Sequence, residues 1–208
     1  MANERALHEY LTELVDVLSL GVGPVPEARP FGQAVYSALR ARSRQPDAMP
    51  DGAFAALLHT AVYEPNPSAN RWPVEAALNA FGRRRVRQAL LDRLRNGTNV
   101  ERGGAALAWY WSALPIRYPH LMSGVPADAR ATADESADIV EAWRTAALQE
   151  FVDNEDPRVR HCIIPGLPLA RTAYLPEFHV LVDDAVAIAR THPDSYIRHR
   201  VEIQVHVT

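Results

Sequence analysis

Apolar residues recur with the period of an α-helix along nearly the whole chain. Leu7, Leu11, Leu14, Val15 and Leu18 form one stripe of that kind, and the run Gly21-Val-Gly-Pro-Val-Pro stops it, because Pro24 and Pro26 cannot continue a helix. The same reading places helices at about 31–42 and 51–62, and then from Pro73 to Arg95 with a break near Gly82. Asn96-Gly97 reads as a left-handed helix end. Thr98-Asn-Val-Glu101 and Thr132-Ala-Asp-Glu135 match capping boxes, each opening a further helix; the second helix carries Ile139, Val140, Trp143, Ala147 and Phe151 on its apolar face. Asp156-Pro157 starts another helix, Phe178, Leu181, Val182, Ala185, Ile188 and Ala189 stripe the next, and Asp194 opens the last. Val201–Val207 alternates like a strand but is read as the end of that final helix. The pattern predicts an all-α fold of nine to eleven helices packed in pairs.

Composition narrows the class without changing this picture. The 208 residues are 48% hydrophobic and 23% charged, which fits a globular domain with enough residues to bury a core. No apolar run reaches the roughly 18 residues of a membrane span, and the N-terminus is charged from Glu4 onward, so a cytoplasmic location is expected. Cys162 is the single cysteine, which excludes an internal disulfide and a multi-cysteine zinc site. The net charge of −3 hides a basic segment: Arg83, Arg84, Arg85, Arg87, Arg93, Arg95 and Arg102 face only Asp92 and Glu101 between positions 82 and 102. Every cation is arginine, which codon composition explains and which favours bidentate pairing with carboxylates.

The most informative pattern is internal. Asp156-Pro-Arg-Val-Arg-His161 recurs as Asp194-Ser-Tyr-Ile-Arg-His199, each after an amphipathic helix. A unit of helix, tight turn ending in Asp, and helix opening on aliphatic-Arg marks stacked helical repeats. It resembles the HEAT-repeat family, including the short HEAT-like repeats of bacterial proteins. Gly97-Thr-Asn-Val100-Glu-Arg102 is a looser third copy that sets Val100 against Val159, and Pro73–Leu78 a candidate fourth. The likeness is clearest over 83–207. It implies one right-handed α-solenoid domain over 1–208, with 1–65 as an N-terminal helical cap, 66–208 as repeats, and an insertion near 115–131. It also implies a ladder of Asp156, Arg160, Asp194 and Arg198 between neighbouring repeats, stopping where Glu101 replaces the arginine.

For function, the residues offer little catalytic chemistry. No two of the eight histidines stand at i, i+4, so no metal site is expected, and no cofactor or catalytic residue is assigned. Cys162 reads as an inert buried thiol, and Asp134-Glu135 and Asp183-Asp184 as solvated helix faces. Solenoids present concave binding surfaces. The first reading is therefore a non-catalytic scaffold that binds another protein in its groove. With Val159 buried, the positions two and five beyond each repeat Asp point outward. The expected binding stripe is Asn99, Arg102, Arg158, His161, Tyr196 and His199, whose Arg and Tyr side chains are common interface anchors and whose histidines predict a response to pH. The alternative reading is a DNA-binding protein related to the HEAT-like alkylpurine DNA glycosylases, with Arg83, Arg84, Arg85, Arg87, Trp109 and Trp111 facing nucleic acid. No position matches that family's catalytic acid. The arginines could equally pair with the acidic stretch 134–156. Trp109 and Trp111 point ~200° apart on one helix, so one of them should lie near the surface or under the insertion. A bilin-lyase-like module is a third possibility, carried by the repeat alone.

Overall fold

In the computed structural model, residues 2–23, 25, 27–43, 49–114 and 136–206 are described. Among them there are ten α-helices and no strand. They are α1 (Ala2–Leu18), α2 (Ala28–Arg42), α3 (Ala53–Tyr63), α4 (Arg71–Phe81), α5 (Arg83–Asn96), α6 (Asn99–Trp111), α7 (Ala137–Asp153), α8 (Pro157–Ile163), α9 (His179–Thr191) and α10 (Ser195–Gln204). Three single 3₁₀ turns link α8 to α9, a stretch for which the hydrophobic pattern predicts no element. The strand-like end is helical as far as Gln204. The 115–131 insertion, Tyr118 and the Thr132–Glu135 capping box lie outside the described residues.

The helices pair in chain order, α1 with α2, α3 with α4, α5 with α6, α7 with α8 and α9 with α10. The pairs then adjoin in two rows. In one, α1 packs on α3, α3 on α6, α6 on α8 and α8 on α10; in the other, α2 packs on α4, α4 on α5, α5 on α7 and α7 on α9. The order within a pair reverses at Gly82, the single residue between α4 and α5, so both of those helices fall in the same row. Gly82 takes φ 83°, ψ 157°, open to glycine and strained for other residues, which is why the break falls there. The core runs between the rows: Leu7, Leu11, Leu14 and Leu18 of α1, Leu57 and Leu58 of α3, Leu90, Leu91 and Leu94 of α5, and Ile139, Trp143 and Phe151 of α7 are all buried.

Three helix starts share one device. Asp156 Oδ1 accepts from the backbone N–H of Arg158 and Val159, Asp194 Oδ1 accepts from that of Tyr196, and Thr98 forms a full capping box with Glu101. Aligned on these caps, Arg102, Arg160 and Arg198 occupy the same position, four residues on. The sequence alignment of the third copy is therefore one residue out. The arginine is present as Arg102, and Val100, only half-buried, is the counterpart of Arg158 rather than of Val159. Each arginine turns back to carbonyls that close the preceding helix: Arg102 to Gly97 and Arg95, Arg160 to Phe151 and Val152, Arg198 to His192 and Pro193. The expected Asp–Arg ladder between units is thus corrected. Each cap aspartate is instead tied to the preceding unit by another residue, Asn99 Nδ2 donating to Asp156 at 3.1 Å and His161 Nδ1 donating to Asp194 at 2.8 Å.

Gly97 is also corrected. Its φ of −78° is ordinary, and it is glycine because a Cβ would stand 2.6 Å from the Arg93 carbonyl oxygen. Gly104 of α6 is tighter still: a Cβ there would overlap the Val62 carbonyl at the end of α3.

Candidate partner-binding site

The second half of α6 presents Trp109, Tyr110 and Trp111 in succession, and packing separates their roles. Trp109 is half-buried and lies flat on Trp143 of α7, with ring centroids 4.0 Å apart and planes 1° from parallel. A stacked pair of this kind adds on the order of 1 kcal/mol beyond the area it buries. Trp111 Nε1 donates to the Pro67 carbonyl at 2.7 Å, which ties α6 to the loop before α4. Tyr110 stands 68% exposed, edge-on to Trp111. Both tryptophans are half-buried, and the exposed member of the trio is the tyrosine between them.

These rings, with the end of α8 and the start of α10, line a pocket of about 290 Å³. Its walls are Trp109, Trp143, Leu107, Ile163 and Pro165, with Tyr110, His161 and Tyr196 also lining it. His161 stacks on Tyr196 across the junction of two helix pairs, 4.5 Å between centroids, while its Nδ1 holds Asp194. That hydrogen bond, and the one from the Tyr196 N–H, keep the Asp194 carboxyl below its usual range. Cys162 also lines the pocket, but burial pushes its thiol up, away from the thiolate a nucleophile needs. The pocket is thus apolar and aromatic, suited to binding a ring or an aliphatic group.

The expected stripe divides in two. Arg158, His161, Tyr196 and His199 are exposed on α8 and α10, and His161 and Tyr196 meet at the pocket. Asn99 is exposed and held between Asp156 and Asn154. Arg102 does not join them: it is half-buried in an ion pair with Glu150 at 2.8 Å and on the carbonyls that end α5, as its corrected register requires.

The arginine cluster is spread over several internal contacts. Arg83 donates to the Leu114 carbonyl, Arg84 makes a two-point pair with Asp138 of α7, Arg85 lies 4.2 Å over the Phe54 ring, and Arg87 is buried against Ser112 and Ser136. The Arg84 pair draws the Asp138 carboxyl down and realises the pairing with the acidic stretch. Among the described residues, no group of three or more His, Cys, Asp or Glu side chains could hold a metal ion, and no helix is long and apolar enough to cross a membrane.

Two functional groups were not legible in the sequence. His192 is buried and accepts the Asp194 N–H on Nδ1, and Glu64 is buried under the Tyr36 hydroxyl at 2.6 Å. The signal available for His192 was its place two residues before a repeat Asp. Comparison with family models, curated proteins and solved structures returns no match.

Proposed function

We propose that the chain is a HEAT-like helical-repeat scaffold, a right-handed solenoid without catalytic chemistry of its own, that binds another protein. It does so by taking one aromatic side chain of an extended partner segment into the pocket between α6, α7, α8 and α10. The observation that carries the reading is the pocket itself: about 290 Å³, walled by the Trp109–Trp143 stack and bordered by His161 and Tyr196 of the expected stripe. Interfaces concentrate their energy where an aromatic anchor fills such a desolvated pocket. The pairwise stacking of helices and the shared cap-and-arginine device support the repeat reading. Arg158 and His199 flank the pocket residues, exposed and bonded to no described side chain, and they supply a polar rim.

DNA binding by the Arg83–Arg87 cluster and the tryptophans has less support, because Arg83, Arg84 and Arg87 are already hydrogen-bonded within the protein, Arg85 lies over the Phe54 ring, and Trp111 is spent on Pro67.

The test is a selection of displayed random peptides. Gly166 lines the pocket, and a Cβ there meets nothing within 4 Å, so Gly166→Phe is accommodated with the core intact and is expected to fill the pocket. Peptides recovered on the parent protein are expected to share an aromatic residue and to lose at least tenfold in affinity for the plugged variant. Peptides without a shared aromatic, or indifferent to the plug, would refute the reading; salt-sensitive retention on duplex DNA would favour the alternative.

A further inference from the structure

Among the described residues, Arg87 is a buried cation with no carboxylate against it. Its side chain is nearly enclosed on α5, at 9% exposure, and its hydrogen bonds run to two hydroxyls, Ser112 Oγ at 3.1 Å and Ser136 Oγ at 2.8 Å. The guanidinium lies over the Trp109 ring, 5.3 Å from its centroid. Burying a charge without an opposite partner is costly. The strain is visible in its acidity: burial and the neighbouring Arg83 push its pKa down to about 10. Arg87 also lines a second cavity, of about 590 Å³, lying between α7 and the 3₁₀ turns before α9. A second guanidinium, Arg144, lines the same space, is exposed, and makes no hydrogen bond or ion pair with a described residue. Val140, Leu175 and Phe178 supply apolar wall, and Glu141 is the one acid among the described residues of the lining.

We propose that this cavity binds a small organic monocarboxylate, its carboxylate between Arg87 and Arg144 and its apolar body against Val140, Leu175 and Phe178. Arg144 offers its whole fork to a carboxylate, and Arg87, whose Nε and Nη1 are held by Ser112 and Ser136, adds the donors of its Nη2. The volume falls in the range of small-ligand sites. The Glu141 carboxylate opposes a second negative charge, which disfavours phosphate. The site is separate from the aromatic pocket, and the proposal stands without the partner-binding reading.

The experiment is ¹⁹F NMR of 4-fluorobenzoate titrated with the full-length protein, with benzoate, benzamide and inorganic phosphate as competitors. Saturable line broadening is expected, reversed by benzoate and unaffected by benzamide or phosphate. Arg144 is exposed and unbonded, so Arg144→Gln should keep the parent's melting temperature while weakening 4-fluorobenzoate about tenfold, the loss of one charge-assisted contact. Three results would each overturn the proposal: no saturable broadening, equal affinity in a folded Arg144→Gln protein, or competition by phosphate at the strength of benzoate.

Discussion

Gly103 and Gly104 are neighbours on α6 that meet different surroundings. A Cβ at Gly103 reaches Cys162 Sγ at 3.5 Å, an ordinary contact, whereas at Gly104 it overlaps the backbone carbonyl of Val62, which no rotamer can relieve. Gly103→Ala should therefore be neutral or stabilising by up to about 1 kcal/mol, the usual gain of helix propensity. Gly104→Ala should cost about 2 kcal/mol or more, as α6 is pushed off α3. Urea unfolding of the two variants checks both, and equal midpoints would contradict the close approach. Asp156→Ala should cost about 1 kcal/mol, since the carboxylate serves two N–H groups at the start of α8.

The pair His192 and Asp194 makes a pH prediction with a definite sign. Burial, reinforced by Arg160 and Arg198, lowers the His192 pKa, while Asp194 acts in the opposite direction. The unfolded chain then binds the proton more readily, so stability is complete above about pH 6.5 and falls as pH drops through the lowered folded value. His192→Asn keeps an acceptor for the Asp194 N–H and should flatten the pH dependence of the melting temperature between pH 7 and 5; an unchanged slope would rule out His192 as its source. The Asp194 carboxyl is also depressed, and its contribution is lost only in more acid solution, below about pH 4.

At the scale of the element, what could be read from the sequence was local. The N-caps at Thr98, Asp156 and Asp194 were legible because a cap is a contact between residues two or three apart. The direction of the arginines was not, because it depends on where the preceding helix ends. Four residues beyond a cap the side chain points back across that end, and the fixed spacing places Arg102, Arg160 and Arg198 alike. The third copy slipped by one because Val100 resembles Val159 in type; the arginine would have been the better key. The hydrogen bond from Tyr36 on α2 to buried Glu64 after α3 was likewise invisible, its two members lying on different helix pairs. Tyr36→Phe leaves one oxygen of the buried Glu64 carboxylate without its donor, the other keeping the Asn66 N–H, and should cost about 1–3 kcal/mol in unfolding free energy. A loss of only a few tenths would mean that water replaces the hydroxyl.

At the scale of the molecule, the helical class was carried by periodicity alone, while the candidate site needed the packing. Trp109 and Trp143 lie on different helices, and nothing in the spacing of either predicts that their rings stack. His161 and Tyr196 were placed on one stripe by the repeat, and their contact across two helix pairs is what brings that stripe to the pocket. Binding through the pocket is most directly read from the indole N–H resonances of Trp72, Trp109, Trp111 and Trp143 in ¹⁵N-labelled protein titrated with unlabelled N-acetyltryptophanamide. The expected result is saturable shifts at Trp109 and Trp143 with Trp72 unmoved, abolished by Gly166→Phe. Shifts that survive the plug, or none at concentrations of tens of millimolar, would contradict it.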